Sequence, residues 1–129
     1  MIVLDACVLI AHFDANDAHH HAATELLLRA AGDQLGASSI SLAEALVGPA
    51  KKGNLETAAA VLGQLGIETI QLPPDAPVRL AAIRAATALK MPDSCVMLAV
   101  EQSGAILATF DKRLAMAAVD RGFVVWGRD

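Results

Sequence analysis

The chain has 129 residues, of which 55% are hydrophobic, 3% aromatic and 19% charged, and its formal net charge is −4. That length predicts a single domain over residues 1–129, since a second core would need roughly 50 more residues. The apolar share excludes a disordered polar chain. Apolar runs stop at six residues, as in Ala6 to Ala11 and Cys95 to Val100, whereas a spanning helix needs about 20. No Lys or Arg precedes Arg29, so the positive start of a secretory leader is missing and a cytoplasmic protein is expected.

Cys7 and Cys95 are far apart in sequence, with no CxxC and no Cys/His ligand set, which predicts two small buried thiols rather than a disulfide framework or structural zinc. Ile2-Val3-Leu4 is a short β-branched run that reads as a buried strand, and a helical stretch follows it. A second helix is predicted over Ala22 to Ala31, then a short strand over Leu35 to Ser38. Ser41 with Glu44 three residues on has the capping-box spacing and predicts a helix to about Lys52; Asn54 predicts the start of the next, to about Leu65. Ile67 to Leu72 reads as a strand, broken by Pro73-Pro74-Asp75 before a helix carrying Val78, Leu80 and Ile83. Met91-Pro92-Asp93 opens a helix ending near Gly104, Ala105 to Thr109 is a strand, Asp111 to Arg121 a helix, and Phe123 to Trp126 a last strand. Strands alternating with helices predict an α/β fold: a three-layer α/β/α sandwich around a parallel sheet.

In open α/β sheets, ligands bind outside the carboxyl ends of the strands. Asp5 stands at such an end, a lone carboxylate between apolar runs and expensive to bury without a partner. Asp111 follows the strand ending at Thr109, Asp93 stands at a helix start, and Glu44 lies one turn into the helix after the second strand. Singly, Asp93 and Asp111 suit helix N-termini and Glu44 suits a capping box. Together, four carboxylates at one sheet edge repel each other unless a counter-ion joins them. Mg²⁺ or Mn²⁺ prefers oxygen ligands and supplies the chemistry of phosphodiester cleavage. Setting these four acids aside moves the formal charge from −4 to 0, and Lys51-Lys52, Lys90 and Lys112-Arg113 are then candidates to face phosphates.

The segment Ile2 to Ile10 resembles the opening of PIN-domain proteins, as do Ser41-Leu42-Ala43-Glu44, Met91-Pro92-Asp93-Ser94 and Thr109-Phe110-Asp111-Lys112-Arg113-Leu114. Their order and spacing are similar to those of a single-domain PIN protein of the VapC toxin type. The resemblance implies a PIN-like parallel sheet of about five strands and a Mg²⁺- or Mn²⁺-dependent endoribonuclease acting on RNA. It implies Asp5, Glu44, Asp93 and Asp111 as the acidic quartet, with Thr109 as a supporting hydroxyl, and it implies a homodimer and a VapB-type antitoxin. Ser94 and Leu114 depart from the small apolar and aromatic residues common at those places.

Other signals carry less. Consecutive helical residues point about 100° apart, so His19, His20 and His21 do not share one ion. With no Tyr and one Trp there is no aromatic interleaving for base stacking, and Trp126 reads as edge packing. The Leu42 to Leu65 helices are a candidate dimer face. A phosphotransferase using Asp5 as nucleophile would want an acid where Cys7 stands, and no GxGxxG or GxxxxGK[ST] occurs. A non-catalytic RNA- or protein-binding domain and a housekeeping RNA-processing nuclease remain alternatives to the toxin.

Overall fold

A computed structural model describes residues 1–127. The elements in chain order are β1 (Ile2–Leu4), α1 (Ala6–Phe13), α2 (His20–Arg29), β2 (Leu35–Ser38), α3 (Ser39–Lys51), α4 (Leu55–Gln64), β3 (Ile67–Ile70), α5 (Ala76–Thr87), α6 (Met91–Ser103), β4 (Ile106–Ala108), α7 (Lys112–Asp120) and β5 (Val125–Trp126). Five strands form one parallel sheet in the order β3-β2-β1-β4-β5, as the alternation of strands and helices predicts.

The short strands work because both of their faces are buried. Ile2 and Leu4 point into a core built with α1, α2 and α3, where Val8, Leu9, Leu26, Leu27 and Ala45 meet them. Val3 and Leu107 point to the other side, against Ile83 of α5, Val96 and Val100 of α6, and Leu114 of α7. This period of two puts apolar residues on both sides of β1, so the strand is a continuous apolar run rather than an alternating one. Helix α6 is buried from Ser94 to Val100, which explains why its sequence shows no polar face there.

Several boundaries differ from expectation. Ser38, not Ser41, caps α3: its Oγ accepts from the Ile40 N–H at 3.3 Å. Helix α3 begins directly after β2, so Ser41 is buried inside it and Glu44 completes no capping box. The strand expected to Leu72 ends at Ile70, because β3 pairs only with the four residues of β2, from Leu35↔Ile67 to Ser38↔Ile70. The last strand is likewise cut to Val125 and Trp126, opposite Leu107 and Ala108, and β4 to Ile106–Ala108. Asn54 and Asp75 hold their predicted positions before α4 and α5 without donating or accepting a side-chain cap bond. Among the described residues no helix is long and apolar enough to cross a membrane.

Candidate functional site

From the central strand β1 the chain moves outward through β2 to β3, while β4 and β5 lie on β1's other side, so the order reverses between β1 and β4. A crevice opens outside the carboxyl ends at such a reversal. Asp5 and Thr109 follow the last residues of these two strands, and the Asp5 N–H is tied to the Ala108 carbonyl at 3.0 Å.

Asp5 is buried, with 6% of its surface exposed, and Thr109 is fully enclosed. The Thr109 hydroxyl donates to Asp5 Oδ2 at 2.7 Å and accepts the Asp111 N–H at 3.0 Å. Cys7 Sγ donates to the same Asp5 oxygen at 3.1 Å and receives the Phe110 N–H at 3.4 Å. Burial, then the Asp5 charge, pushes the Cys7 thiol up to about 12. Cys7 is therefore a thiol that orders a carboxylate, not a nucleophile. Asp111 caps α7, its Oδ1 accepting the Leu114 N–H at 3.0 Å. Asp5 and Asp111 thus each commit one oxygen to the protein's own donors.

Asp93, half-buried in the first turn of α6, and Glu44, exposed on α3, complete the mouth. Burial raises the Asp93 carboxyl above the ordinary carboxylate range, and the charges of Asp111 and Asp5 raise it further, against the opposing pull of Lys90 and Arg113. Glu44 is raised by burial and by Asp5 and Asp93. Cys95 is raised by burial and by Glu44. The acids singled out in the sequence are therefore close enough to feel each other's charge. Among the described residues, however, no three His, Cys, Asp or Glu side chains are already arranged to hold an ion. Four oxygen donors that repel one another, around a wall that keeps Asp5 in place, still suit a hard cation that retains its own waters.

The sequence model of the PIN domain matches residues 2–121. The chain belongs to the PIN-domain family. The PIN fold accounts for the likeness to three solved structures. A toxin–antitoxin complex from Klebsiella pneumoniae is 23% identical, with 89% of this chain and 90% of that chain covered and a TM-score of 0.76. FitAcB from Neisseria gonorrhoeae is 18% identical over 98% and 96%, with a TM-score of 0.75. VapC20 from Mycobacterium tuberculosis, described as a Sarcin-Ricin loop cleaving toxin, is 18% identical over 96% and 97%, with a TM-score of 0.71. No curated protein matches the chain.

Beside the acids, this PIN domain holds features that sequence reasoning missed. The His19 ring lies flat on Phe110, with centroids 4.7 Å apart. His20 bonds the Ala11 carbonyl through Nδ1 at 2.8 Å, and His21 turns outward to Glu25, 3.1 Å away. The three histidines point in three directions: His20 and His21 open α2, and His19 stands just before it. Trp126 does more than pack an edge: the Arg29 guanidinium lies 3.8 Å above its ring centre. Residues 19 and 29 stand at the two ends of α2, whereas 110 and 126 come from much later in the chain, and no spacing rule would have joined the two pairs. On the other flank, a cavity of about 660 Å³ lies between α1, α3 and α4, lined by Ile10, Phe13, Val47 and Val61 with Glu44 and Lys52 at its polar edge. Lys51 is exposed and does not line it.

Proposed function

We propose that the protein is a metal-dependent endoribonuclease that cleaves RNA phosphodiester bonds, and the toxin of a VapBC-type pair. What supports this reading is the charge coupling among the acids beside the β1/β4 reversal: Asp93 is raised by Asp111 and Asp5, and Glu44 by Asp5 and Asp93. In this reading Asp5, Asp93 and Asp111 hold a divalent ion, Mg²⁺ or Mn²⁺, and Glu44 binds it or orients the attacking water. The ion, when bound, activates water and neutralises the charge that develops on the phosphodiester.

The chain's own residues do the positioning. Thr109 and Cys7 fix Asp5 through one oxygen, which leaves the carboxylate a single orientation. The cap bond ties the Asp111 carboxylate to the α7 start, through Oδ1 accepting the Leu114 N–H. Lys90 and Arg113, whose charges Asp93 already feels, face a phosphate approaching the mouth. The apolar cavity beside Glu44 favours the toxin reading over a housekeeping nuclease, since exposed Val47 and Ile10 offer a partner chain an apolar seat at the rim of the acid site. A VapB-type antitoxin that lays an apolar segment there and sends a basic side chain toward the acids would block them. The reading also carries a homodimer in solution, which light scattering of the purified chain measures.

The test is cleavage of structured RNAs by purified protein with Mg²⁺, with Mn²⁺ and with EDTA. We expect cutting that requires metal and disappears in Asp5→Asn. An Asp5→Asn variant that cuts as well as the parent would overturn the assignment.

A further inference from the structure

The cavity beyond Phe110 has no part in holding the acids, yet it adjoins them. It measures about 450 Å³, and its walls include His19, Phe110, Trp126, Arg29, Lys112 and Glu25. Its two walls are flat π systems with a planar side chain on each: His19 on Phe110, 9° from parallel, and Arg29 on Trp126. Both covering side chains are exposed, at the two ends of α2. Such faces accept any nucleobase, because every base has a π face.

The backbone links this cavity to the acid mouth. Thr109-Phe110-Asp111 leads from the end of β4 into the α7 cap, with the Thr109 hydroxyl accepting the Asp111 N–H across Phe110. Thr109 and Asp111 serve the acid side, while Phe110 lines the cavity. Lys112, one residue past Asp111, lines it too, and also lines the next cavity along with Arg113, so these two cations lead a phosphate backbone from one to the other; Arg121 there is paired with Glu101. Gly127 keeps the floor clear: its φ is +95°, and a Cβ there would sit 2.7 Å from the Thr109 carbonyl oxygen.

We propose that this cavity binds one unpaired nucleobase of the RNA strand, adjacent to the phosphate at the acid mouth. The base stacks on Trp126 in the place Arg29 now takes, with Phe110 and His19 as the opposite wall; the exposed Arg29 swings out to cover its outer face, Lys112 takes the flanking phosphate, and the Glu25 carboxylate accepts from a base amino group. The ligand is a single strand, since a base paired in a duplex does not reach into a cavity. The proposal rests on the nuclease reading for the identity of the strand, and its own test needs no cleavage.

Trp126 is the chain's only indole, so its emission is a built-in reporter of stacking. The whole chain, in EDTA, is titrated with a single-stranded RNA hexamer, an abasic ribose-phosphate oligomer of equal length, and a duplex of the same sequence. We expect the single strand to quench Trp126 and the other two to leave it unchanged. Phe110→Leu is expected to weaken hexamer affinity about 5- to 100-fold. Lys112→Gln is expected to flatten the log–log salt dependence by about 0.7. If Phe110→Leu fails to fold, the exposed Arg29→Gln carries the same comparison. Equal quenching by the abasic oligomer or the duplex, or unchanged affinity in a folded Phe110→Leu or Arg29→Gln, overturns the proposal. Metal-dependent cleavage without quenching removes the base site and leaves the nuclease; quenching without cleavage does the reverse.

Discussion

Thr109→Val tests the site's internal scaffold separately from its chemistry. The substitution keeps a β-branched shape in a place with 0% exposure and removes one hydroxyl. That hydroxyl donates at 2.7 Å to a buried carboxylate and accepts the Asp111 N–H at 3.0 Å. A hydrogen bond to a charged group contributes about 1.5–3 kcal/mol, and a partly buried amide left without its acceptor costs about 1 kcal/mol more. The expected loss is about 3 kcal/mol, or about 10 °C in the melting temperature of a domain this size. Thr109→Ser keeps the oxygen and gives up a buried methyl, so it should lose only about 1 kcal/mol. The measurement is urea unfolding and thermal melting in EDTA, repeated in the Asp5→Asn background. Without the Asp5 charge the same hydroxyl makes a neutral bond, and the cost of Thr109→Val should fall by about 1–2 kcal/mol. A Thr109→Val protein within 0.5 kcal/mol of the parent would refute the argument, as would an undiminished cost in the Asp5→Asn background.

Three further expectations follow from the same geometry. Glu44 and Asp93 are raised above their unfolded values, so the folded state holds their protons more tightly; metal-free stability is whole below the ordinary carboxylate range and declines as pH rises through the raised values. At pH 7 in EDTA, Asp93→Asn should therefore melt about 2–4 °C above the parent, a figure reduced for solvent screening. Mg²⁺ at 100 times its dissociation constant should add about 2.7 kcal/mol to the parent and far less to the variant; a variant melting below the parent in EDTA contradicts the repulsion. With its thiol held near 12, Cys7 in the folded chain should alkylate at pH 8 at least about 100-fold more slowly than in urea, which mass spectrometry reads directly; equal rates would mean the thiol is not enclosed. Gly127→Ala meets the Thr109 carbonyl at 2.7 Å in a backbone held at φ +95° and should cost about 2 kcal/mol, whereas Gly63→Ala in α4, with nothing within 4 Å, should gain up to about 1 kcal/mol; chemical denaturation that ranks the two the other way refutes the assignment of strain.

The strands were legible because β1 and β4 are buried on both faces, which calls for a continuous apolar run such as Ile2-Val3-Leu4 or Ile106-Leu107-Ala108. Asp5 was legible for the opposite reason: an acid beside Leu4 has no structural use of its own. Helix starts were harder to place. Ser38, Ser39 and Ser41 all suit a cap, and the choice falls to Ser38 because α3 starts where β2 stops, a tertiary fact. The length of β3 was illegible within its own segment, since the four residues of β2 set it. The aromatic cavity lay beyond reach for a related reason. Stacking partners 91 residues apart, His19 and Phe110, share no periodicity that a scan along the chain detects.

The acid mouth and the aromatic cavity meet at Cys7. Its S–H ends on Asp5 Oδ2, and its sulfur receives the N–H of Phe110. A shift of the thiol therefore moves the carboxylate on one side and the stacking ring on the other. The backbone beneath resists that shift, because Leu4, Val8, Leu107 and Ala108 are fully buried and have no second packing arrangement to adopt. Charge repulsion is thus confined to side chains at the crevice while the core holds their attachment points. That division predicts opposite signatures: amide changes at the mutually repelling Asp93 and Glu44 abolish function and leave the fold as stable or more so, while core truncations such as Leu107→Ala lower stability by about 2–5 kcal/mol and keep the site chemistry for as long as the chain stays folded.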